Sequence, residues 1–146
     1  KGYLYWSGDI TPDYNPYEAG LGFCVALDKG DFIGRDALAR IKYEGTARRL
    51  CSFTIDGFAP LHGGEAILRD GEVVGSTSSV GYGHSLGKSI AFGYLATELA
   101  GGTRFEIEAF GKSVVRAAGS AIGRQVIRGV LGGLFGGGKK KGGLFG

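Results

Sequence analysis

Between Gly45 and Gly111 the chain reads RRLCSFTIDG (residues 48–57), HGGEAILRDGEVVGSTSSVGYG (62–83), KSIAFGYL (88–95) and TRFEIEAFG (103–111). These four runs are rich in β-branched and aromatic residues, and each is bounded by Gly, Asp or Pro. Such punctuation is typical of strands that are joined by tight turns. The stretch therefore predicts a set of short strands that follow one another along the chain.

Two local patterns sharpen this prediction. Asp70 and Gly71 lie between two strand-like runs, and Asp-Gly favours a two-residue hairpin because both central residues need a positive φ. Residues 103–110 alternate between apolar and charged side chains, as expected of a half-buried strand. Four or five strands at spacings near ten residues indicate a small antiparallel barrel or sandwich.

Residues 1–44 predict a different arrangement. An aromatic start (KGYLYW, 1–6) is compatible with a short strand, and a loop with two prolines follows it. GFCVAL (22–27) has the length and apolar content of a strand, and FIGRDALARIKYE (32–44) has apolar residues at helical spacing. The order strand, loop, strand, helix predicts a partial α/β segment ahead of the barrel, so the fold class is α+β and mainly β.

The charge of the chain is divided unevenly. Residues 112–146 hold seven basic and no acidic residues, whereas residues 1–111 hold ten basic and fourteen acidic ones. Basic residues at a spacing of four predict a basic helix that begins near Lys112, and the repeated GGLFG around three lysines predicts a disordered Gly/Lys tail. A basic tail of this kind suits contact with a nucleic acid or an anionic membrane surface.

Cysteine and histidine usage limits the chemistry. Cys24 and Cys51 are the only cysteines, and both lie in apolar runs, which predicts buried free thiols in a reducing, cytoplasmic compartment. His62 and His84 have no Cys or Asp at ligand spacing, so no metal site is predicted.

No apolar run reaches the length of a transmembrane helix. The chain starts at Lys1 and contains no Met, from which we expect a piece of a longer protein.

The segment KGYLYWSGDITPDYNPYEAGLGFCVALDKGDFIGRDAL (1–38) resembles the aminomethyltransferase (glycine cleavage T-protein) family. Within that family it is most similar to the folate-binding C-terminal region of sarcosine and dimethylglycine dehydrogenases. The runs between Arg48 and Leu95 resemble the family's C-terminal barrel. The short Gly-rich end of the chain weakly resembles the C-terminus of HerA-like ATPases.

The resemblance implies one-carbon chemistry, in which a methylene unit on a secondary amine passes to tetrahydrofolate. The family's three subdomains surround a central folate channel. We therefore expect residues 1–45 to be the trailing part of the folate-binding domain and residues 46–111 to be the C-terminal antiparallel barrel. Residues 112–146 would be the basic helix and the Gly/Lys tail.

The resemblance also implies candidate tetrahydrofolate contacts. The rings of Tyr5 and Trp6 would stack on the pterin and Asp9 would bind its amino group, although aromatic residues near a strand end also pack in cores. Glu18 would support the channel or cap a helix start. Arg48 and Arg49 lie at adjacent strand positions that point to opposite faces. At most one of them would therefore face a folate carboxylate, and a solvated strand edge is the alternative for both.

No residue of this chain matches the family's catalytic carboxylate, and the flavin domain of the dehydrogenases has no counterpart here. Catalytic residues are therefore not predicted, and whether the chain is an enzyme stays open. The predicted function is to shape a folate channel within a longer parent chain. Through that parent chain, the partner would be a small amine substrate such as sarcosine, dimethylglycine or glycine. The alternative is a non-enzymatic module whose basic tail binds a polyanion.

Overall fold

The computed structural model of the chain describes residues 2–102, 104–109 and 113–121. A short N-terminal segment of mixed structure comes first, and the strands of a barrel follow it. They are a 3₁₀ turn (Gly22–Cys24), α1 (Arg35–Glu44), β1 (Arg48–Asp56), β2 (Ala66–Arg69), β3 (Glu72–Gly83), β4 (Lys88–Ala96), β5 (Phe105–Ala109) and β6 (Ser113–Ala121).

The six strands form a closed antiparallel barrel in the order β1-β4-β3-β2-β5-β6. Closure occurs at β1, which pairs with β4 along its whole length and with β6 through residues 51–54. A closed barrel has no exposed strand edge on which another chain can add a strand. The predicted mainly β barrel is confirmed.

The hairpin between β2 and β3 turns at the predicted position. Asp70 has φ 54° and Gly71 has φ 83°, and Arg69 pairs with Glu72 across the turn. A positive φ at both central residues gives the turn the right-handed twist that flanking strands need. This local chemistry explains why the turn was predictable from two residues.

The barrel interior is filled by residues that alternate along the strands. In β4 the inward positions are small or apolar, and the outward positions are larger, which gives the strand a regular alternation of burial. Phe53 and Phe105 meet edge to face, with ring centroids 5.5 Å apart. Gly119 makes room for this pair, because a Cβ at that position would lie 2.9 Å from the Phe105 ring.

The basic helix predicted from Lys112 onward is wrong over Ser113–Ala121, which forms β6. A spacing of four residues fits one face of a strand as well as one face of a helix, because four is also a multiple of two. Burial follows the strand period, since Arg116 is exposed and Ala117 is buried. The barrel therefore extends past the predicted boundary at Gly111, and the predicted Gly/Lys tail after Ala121 lies outside the described residues.

Two predictions for the N-terminal segment are also wrong. GFCVAL (22–27) forms a 3₁₀ turn and irregular chain instead of a strand, since no described strand pairs with it. The aromatic start forms a turn with one bridge between Trp6 and Ile10. Cys24 is exposed, contrary to prediction, whereas Cys51 is buried as expected, and both thiols are free.

Helix α1 is confirmed and ends where Gly45 caps it, with the Gly45 N–H donating to the Ile41 carbonyl. None of its residues is buried, and the preceding Ile33 is fully exposed. The apolar face expected to pack in a core is therefore only partly covered, since Leu38 and Ile41 are half-buried and Ile33 is exposed. Among the described residues, no helix combines the length and apolar content that crossing a bilayer requires.

Candidate functional site

The N-terminal segment lies against the outer surface of β1, β3 and β4. Part of this surface is formed by β4, in which small inward residues alternate with large outward ones such as Phe92 and Tyr94. Leu50 of β1 is buried on the same side, and its N–H donates to the carbonyl of Glu18. The segment thus covers an apolar outer face that the barrel interior cannot bury.

Asp9 fixes the segment to β3. Its side chain is fully buried and accepts hydrogen bonds from the hydroxyl of Ser78 (2.5 Å) and from the hydroxyl and N–H of Ser79 (2.7 and 3.1 Å). The N–H of Tyr5 donates to the other carboxylate oxygen at 2.8 Å. A buried carboxylate without a cation requires such donors to offset its lost hydration. Both Asp9 oxygens are therefore engaged by the protein, and a role of Asp9 in binding the pterin amino group stays a prediction.

Tyr94 connects the same segment to β4. Its hydroxyl donates to the backbone carbonyl of Asp9 at 2.9 Å, and its ring stacks on Tyr14 with centroids 3.8 Å apart and planes 6° apart. Burial raises the pKa of Tyr94 well above its ordinary value, and Tyr14 and Glu18 raise it further. The Tyr94 hydroxyl therefore remains a donor throughout the physiological pH range.

Arg48 completes this group on the outer side of Tyr14. The guanidinium lies 4.4 Å from the Tyr14 ring centroid, its Nε bonds to Glu18 at 3.2 Å, and its Nη2 donates to the Asp13 carbonyl at 2.8 Å. We call Tyr14, Glu18, Arg48 and Tyr94 the tyrosine–arginine cluster. The cluster is half-exposed at Arg48, so part of its positive charge faces solvent.

Glu18 also closes a turn with Asn15. One Glu18 oxygen accepts from the Asn15 N–H, and the Asn15 side chain accepts from the Glu18 N–H, each at 3.0 Å. This reciprocal pair matches the capping interpretation of Glu18. Because Arg48 occupies the second oxygen, both Glu18 oxygens have partners in the protein. A role of Glu18 in a folate channel stays a prediction.

Arg49 is not brought to the tyrosine–arginine cluster. Adjacent strand positions point to opposite faces, and Arg49 lies on the side of Cys51, whose side chain belongs to the barrel core. Burial raises the pKa of the Cys51 thiol to about 11, while the charge of Arg49 opposes that rise. Of the two predicted arginines, only Arg48 is therefore near the N-terminal segment.

Tyr5 and Trp6 present open aromatic faces beside Asp9. Tyr5 is 70% exposed and Trp6 is 65% exposed, although the backbone that carries them is held by the buried Asp9 carboxylate. Ser7, the next residue, has a φ of 69°, which turns the chain sharply back toward Ile10. The two rings are thus displayed on a fixed turn.

The arrangement suits binding better than proton transfer. Asp9 and Glu18 have their oxygens occupied, and the Tyr94 phenol resists ionisation. In the part of the chain that the structure describes, no three His, Cys, Asp or Glu side chains gather as a metal site would need. What the site offers is a pair of exposed aromatic rings and a partly exposed guanidinium.

Sequence reasoning missed Tyr14, Ser79 and Tyr94, which position the predicted residues. A signal for Tyr94 was present, since large residues at every second position of β4 indicate a covered outer face. No comparable signal marked Ser79, because serines are common in strands that face solvent. Its contact with Asp9 joins residues that are 70 positions apart.

Comparison with known proteins identifies the family of the barrel domain. The model of the glycine cleavage T-protein C-terminal barrel domain matches residues 48–120, which end one residue before the end of β6. The chain belongs to this family. Membership confirms the resemblance on which the folate predictions depend, and it accounts for the closed six-stranded barrel.

Relatives in this family extend the similarity to the N-terminal segment. The human mitochondrial sarcosine dehydrogenase is 36% identical over 126 residues, which are 86% of this chain and 14% of that protein. The mouse mitochondrial dimethylglycine dehydrogenase is 43% identical over 77% of this chain and 13% of its own. An aminomethyltransferase of Symbiobacterium thermophilum is 43% identical over 73% of this chain and 29% of its own. The chain therefore spans less than a third of each of these relatives.

A crystal structure of the glycine cleavage system aminomethyltransferase T from Bartonella henselae has the same fold. Its TM-score is 0.74 at 24% identity, over 84% of this chain and 35% of that one. This likeness covers most of the chain and concerns the fold. The resemblance of the tail to HerA-like ATPases stays a prediction.

Proposed function

We propose that this chain is the C-terminal part of a tetrahydrofolate-dependent aminomethyltransferase-like protein, in which it shapes the folate channel. Family membership and the names of the relatives support this proposal. The amine donor would belong to the class of sarcosine, dimethylglycine or glycine. The observation that carries the proposal is the exposed pair Tyr5 and Trp6, which is displayed on a turn that the buried Asp9 anchors.

The described residues fit tetrahydrofolate in part. The rings of Tyr5 and Trp6 have open faces on which a pterin ring can stack, and the half-exposed Arg48 can pair with a glutamate carboxylate of the cofactor. Asp9 does not fit the role of binding the pterin amino group, because its oxygens are buried and already accept hydrogen bonds. When bound, tetrahydrofolate accepts the one-carbon unit, and the chain's own residues orient it.

The remaining polypeptide of a longer parent chain would cover the N-terminal segment. Exposed apolar residues are concentrated there, and helix α1 buries none of its side chains. The residues in question are Tyr3, Tyr5, Trp6, Phe23, Ile33 and Tyr43. Contiguous exposed apolar groups mark interaction surfaces, and we propose that these residues contribute to one. The greater length of the relatives agrees with such a cover.

Catalysis by the chain alone is not expected. The two carboxylates near the exposed rings, Asp9 and Glu18, are both engaged in hydrogen bonds that hold the segment in place. We therefore expect no one-carbon transfer from sarcosine to tetrahydrofolate by the isolated chain. Its contribution would be to binding and orientation within the parent protein, and the predicted cytoplasmic location of that protein stays a prediction.

Trp6 is the only tryptophan, so its fluorescence reports on this site alone. Tetrahydrofolate should be titrated anaerobically into the full chain, with correction for absorbance by the ligand. Saturable quenching is expected. Replacement of Tyr5 by Leu should weaken binding roughly threefold to tenfold, as expected for the loss of one stacked ring.

A control is Tyr43→Leu, which alters a tyrosine on α1 that is even more exposed than Tyr5. It should leave the tetrahydrofolate affinity unchanged. Absence of saturable quenching in protein whose circular dichroism shows a folded barrel would contradict the proposed site. Equal weakening by both substitutions would also contradict it, because the effect would then not be local to Tyr5.

A further inference from the structure

A cleft lies on the side of the barrel away from the N-terminal segment. The segment covers β1, β3 and β4, whereas this cleft is formed by β2, β5 and β6, which are neighbours on the other side of the closed barrel. It has a volume of about 230 Å³. Its walls carry three arginines on three different parts of the chain, Arg69, Arg104 and Arg116.

The register of the strands fixes the floor of the cleft and the position of Arg116, while Arg69 ends β2 and Arg104 directly precedes β5. Phe105 pairs with Ala117, and both are buried, so the floor is apolar and closely packed. On the outer face, Leu68 and Arg116 lie on either side of Glu106 in neighbouring strands. Side chains that project from paired strands are better positioned than side chains on loops.

The guanidinium groups of the cleft have few partners. Arg104 and Arg116 form no ion pair within 4.0 Å and no hydrogen bond with any described residue. Arg69 approaches only the carboxylate of its neighbour Asp70, at 3.9 Å, and that carboxylate is 95% exposed. An arginine carries five N–H donors in a planar fork, so the described residues leave most of the donors around the cleft open to a ligand.

The absence of a side chain at Gly102 gives the Arg69 guanidinium room beside the cleft. A Cβ at residue 102 would lie 3.4 Å from Arg69 Nη1 and 3.1 Å from the Phe105 ring. The loop before β5 therefore lies close over the guanidinium, which is about half-exposed. The Arg69 side chain thus lines the cleft beside the Gly102 loop.

We propose that this cleft binds a small dianionic oxyanion, either a phosphate monoester or a dicarboxylate. Planar guanidinium forks match the oxygen spacing of both groups, and three arginines exceed the two carboxylates at the rim, Asp70 and Glu106. The volume admits such an anion with a short organic group and is smaller than the usual pocket for a drug-sized ligand. The site is independent of the folate proposal, because no residue is shared between the two.

Nuclear magnetic resonance tests this proposal on the full chain. Orthophosphate and succinate should be titrated separately at constant ionic strength and pH, while amide and arginine Nε resonances are followed. Saturable shifts are expected for Arg69 Nε and for the amides of β2, β5 and β6 that line the cleft. Stronger binding of orthophosphate would identify the phosphate class, and stronger binding of succinate would identify the dicarboxylate class. Shifts that grow linearly for both anions would overturn the proposal.

Variants separate a specific cleft from general attraction to positive charge. Arg69→Gln should weaken the tighter anion at least about tenfold, as expected for loss of a charge-assisted pair, whereas Arg40→Gln on α1 should have no effect. Glu106→Gln removes a nearby negative charge and should strengthen binding roughly threefold. If Arg69→Gln does not fold, the Glu106→Gln result decides. Unchanged or weaker binding in Glu106→Gln would overturn the proposal.

Discussion

The hydroxyl of Tyr94 donates a hydrogen bond to the backbone carbonyl of Asp9 at 2.9 Å, while the Asp9 carboxylate binds Ser78 and Ser79 on the neighbouring strand. One residue of the N-terminal segment is thereby attached to β3 through its side chain and to β4 through its main chain. The exposed rings of Tyr5 and Trp6 depend on this double attachment for their position.

Replacement of Tyr94 by Phe should make stability less sensitive to alkaline pH. Burial, with Tyr14 and Glu18, raises the pKa of Tyr94 in the folded chain above that of an unfolded tyrosine. A raised folded pKa contributes stability that is fully present below the unfolded pKa, about 10, and is lost as the pH rises above it. Urea unfolding between about pH 8 and pH 11 should show a smaller loss in the variant.

Tyr43→Phe is the control for this prediction, because Tyr43 is exposed on α1. It should lose stability with pH as the unsubstituted chain does. At neutral pH, Tyr94→Phe should itself cost about 1 kcal/mol, the usual contribution of one hydrogen bond. If stability falls with alkaline pH in the same way for Tyr94→Phe and Tyr43→Phe, the alkaline loss does not arise from the raised pKa of Tyr94.

Replacement of Asp9 by Ala should destabilise the chain by about 2–4 kcal/mol, because Ser78 and Ser79 would lose their buried acceptor. Asp36→Ala removes a fully exposed carboxylate and serves as the control, with an expected change within about 0.5 kcal/mol. Urea unfolding followed by circular dichroism measures both. Equal stability of the two variants would show that Asp9 does not anchor the segment.

The barrel was predictable because its signals are local. Asp70 and Gly71 carry the φ values that their residue types favour, and the strand runs alternate as half-buried strands do. β6 was mistaken for a helix because a spacing of four residues satisfies both periods. What selects the strand is closure against β1, where Phe53 pairs with Gly119. That information is absent from the local sequence.

The candidate site was predictable in its residues and not in its contacts. Tyr5, Trp6 and Asp9 were chosen from the family resemblance, and the structure places them on one turn. The partner of Asp9 lies 70 residues away, and no periodicity connects the two positions. The folded arrangement gives Asp9 a structural role that the sequence did not indicate, and its predicted contact with a ligand stays a prediction.

Glu65 should make the fold sensitive to acid. Burial of its carboxylate opposes ionisation, but donors from the His62 and Gly63 backbone and from the Thr77 hydroxyl outweigh it and lower the pKa of Glu65. A lowered folded pKa contributes stability that is present above the unfolded pKa, about 4.3, and is lost as the pH falls through the folded value.

Glu65→Gln should therefore flatten the decline of stability between about pH 5 and pH 3. Glu98→Gln alters an exposed carboxylate and should leave that decline unchanged. Thermal unfolding at closely spaced pH values measures the slopes. If Glu65→Gln retains the full slope, the acid sensitivity of the chain arises elsewhere.

Two glycines in adjacent barrel strands should respond in opposite ways to the same substitution. A Cβ at Gly93 of β4 would lie 2.5 Å from the Ser76 carbonyl oxygen and 2.8 Å from the Ile67 side chain. Since Ser76 O belongs to a paired strand, it cannot move away without breaking the ladder. Gly93→Ala should therefore cost about 2–4 kcal/mol of unfolding free energy.

Gly81 of β3 is the matched site, because a Cβ there would meet no atom within 4 Å and the residue is exposed. Gly81→Ala should be neutral or stabilise the chain by up to about 1 kcal/mol, since alanine loses less conformational entropy on folding than glycine. Urea unfolding of both variants provides the comparison. A large loss at Gly81 together with a neutral Gly93 would mean that the β3–β4 register is not the one described.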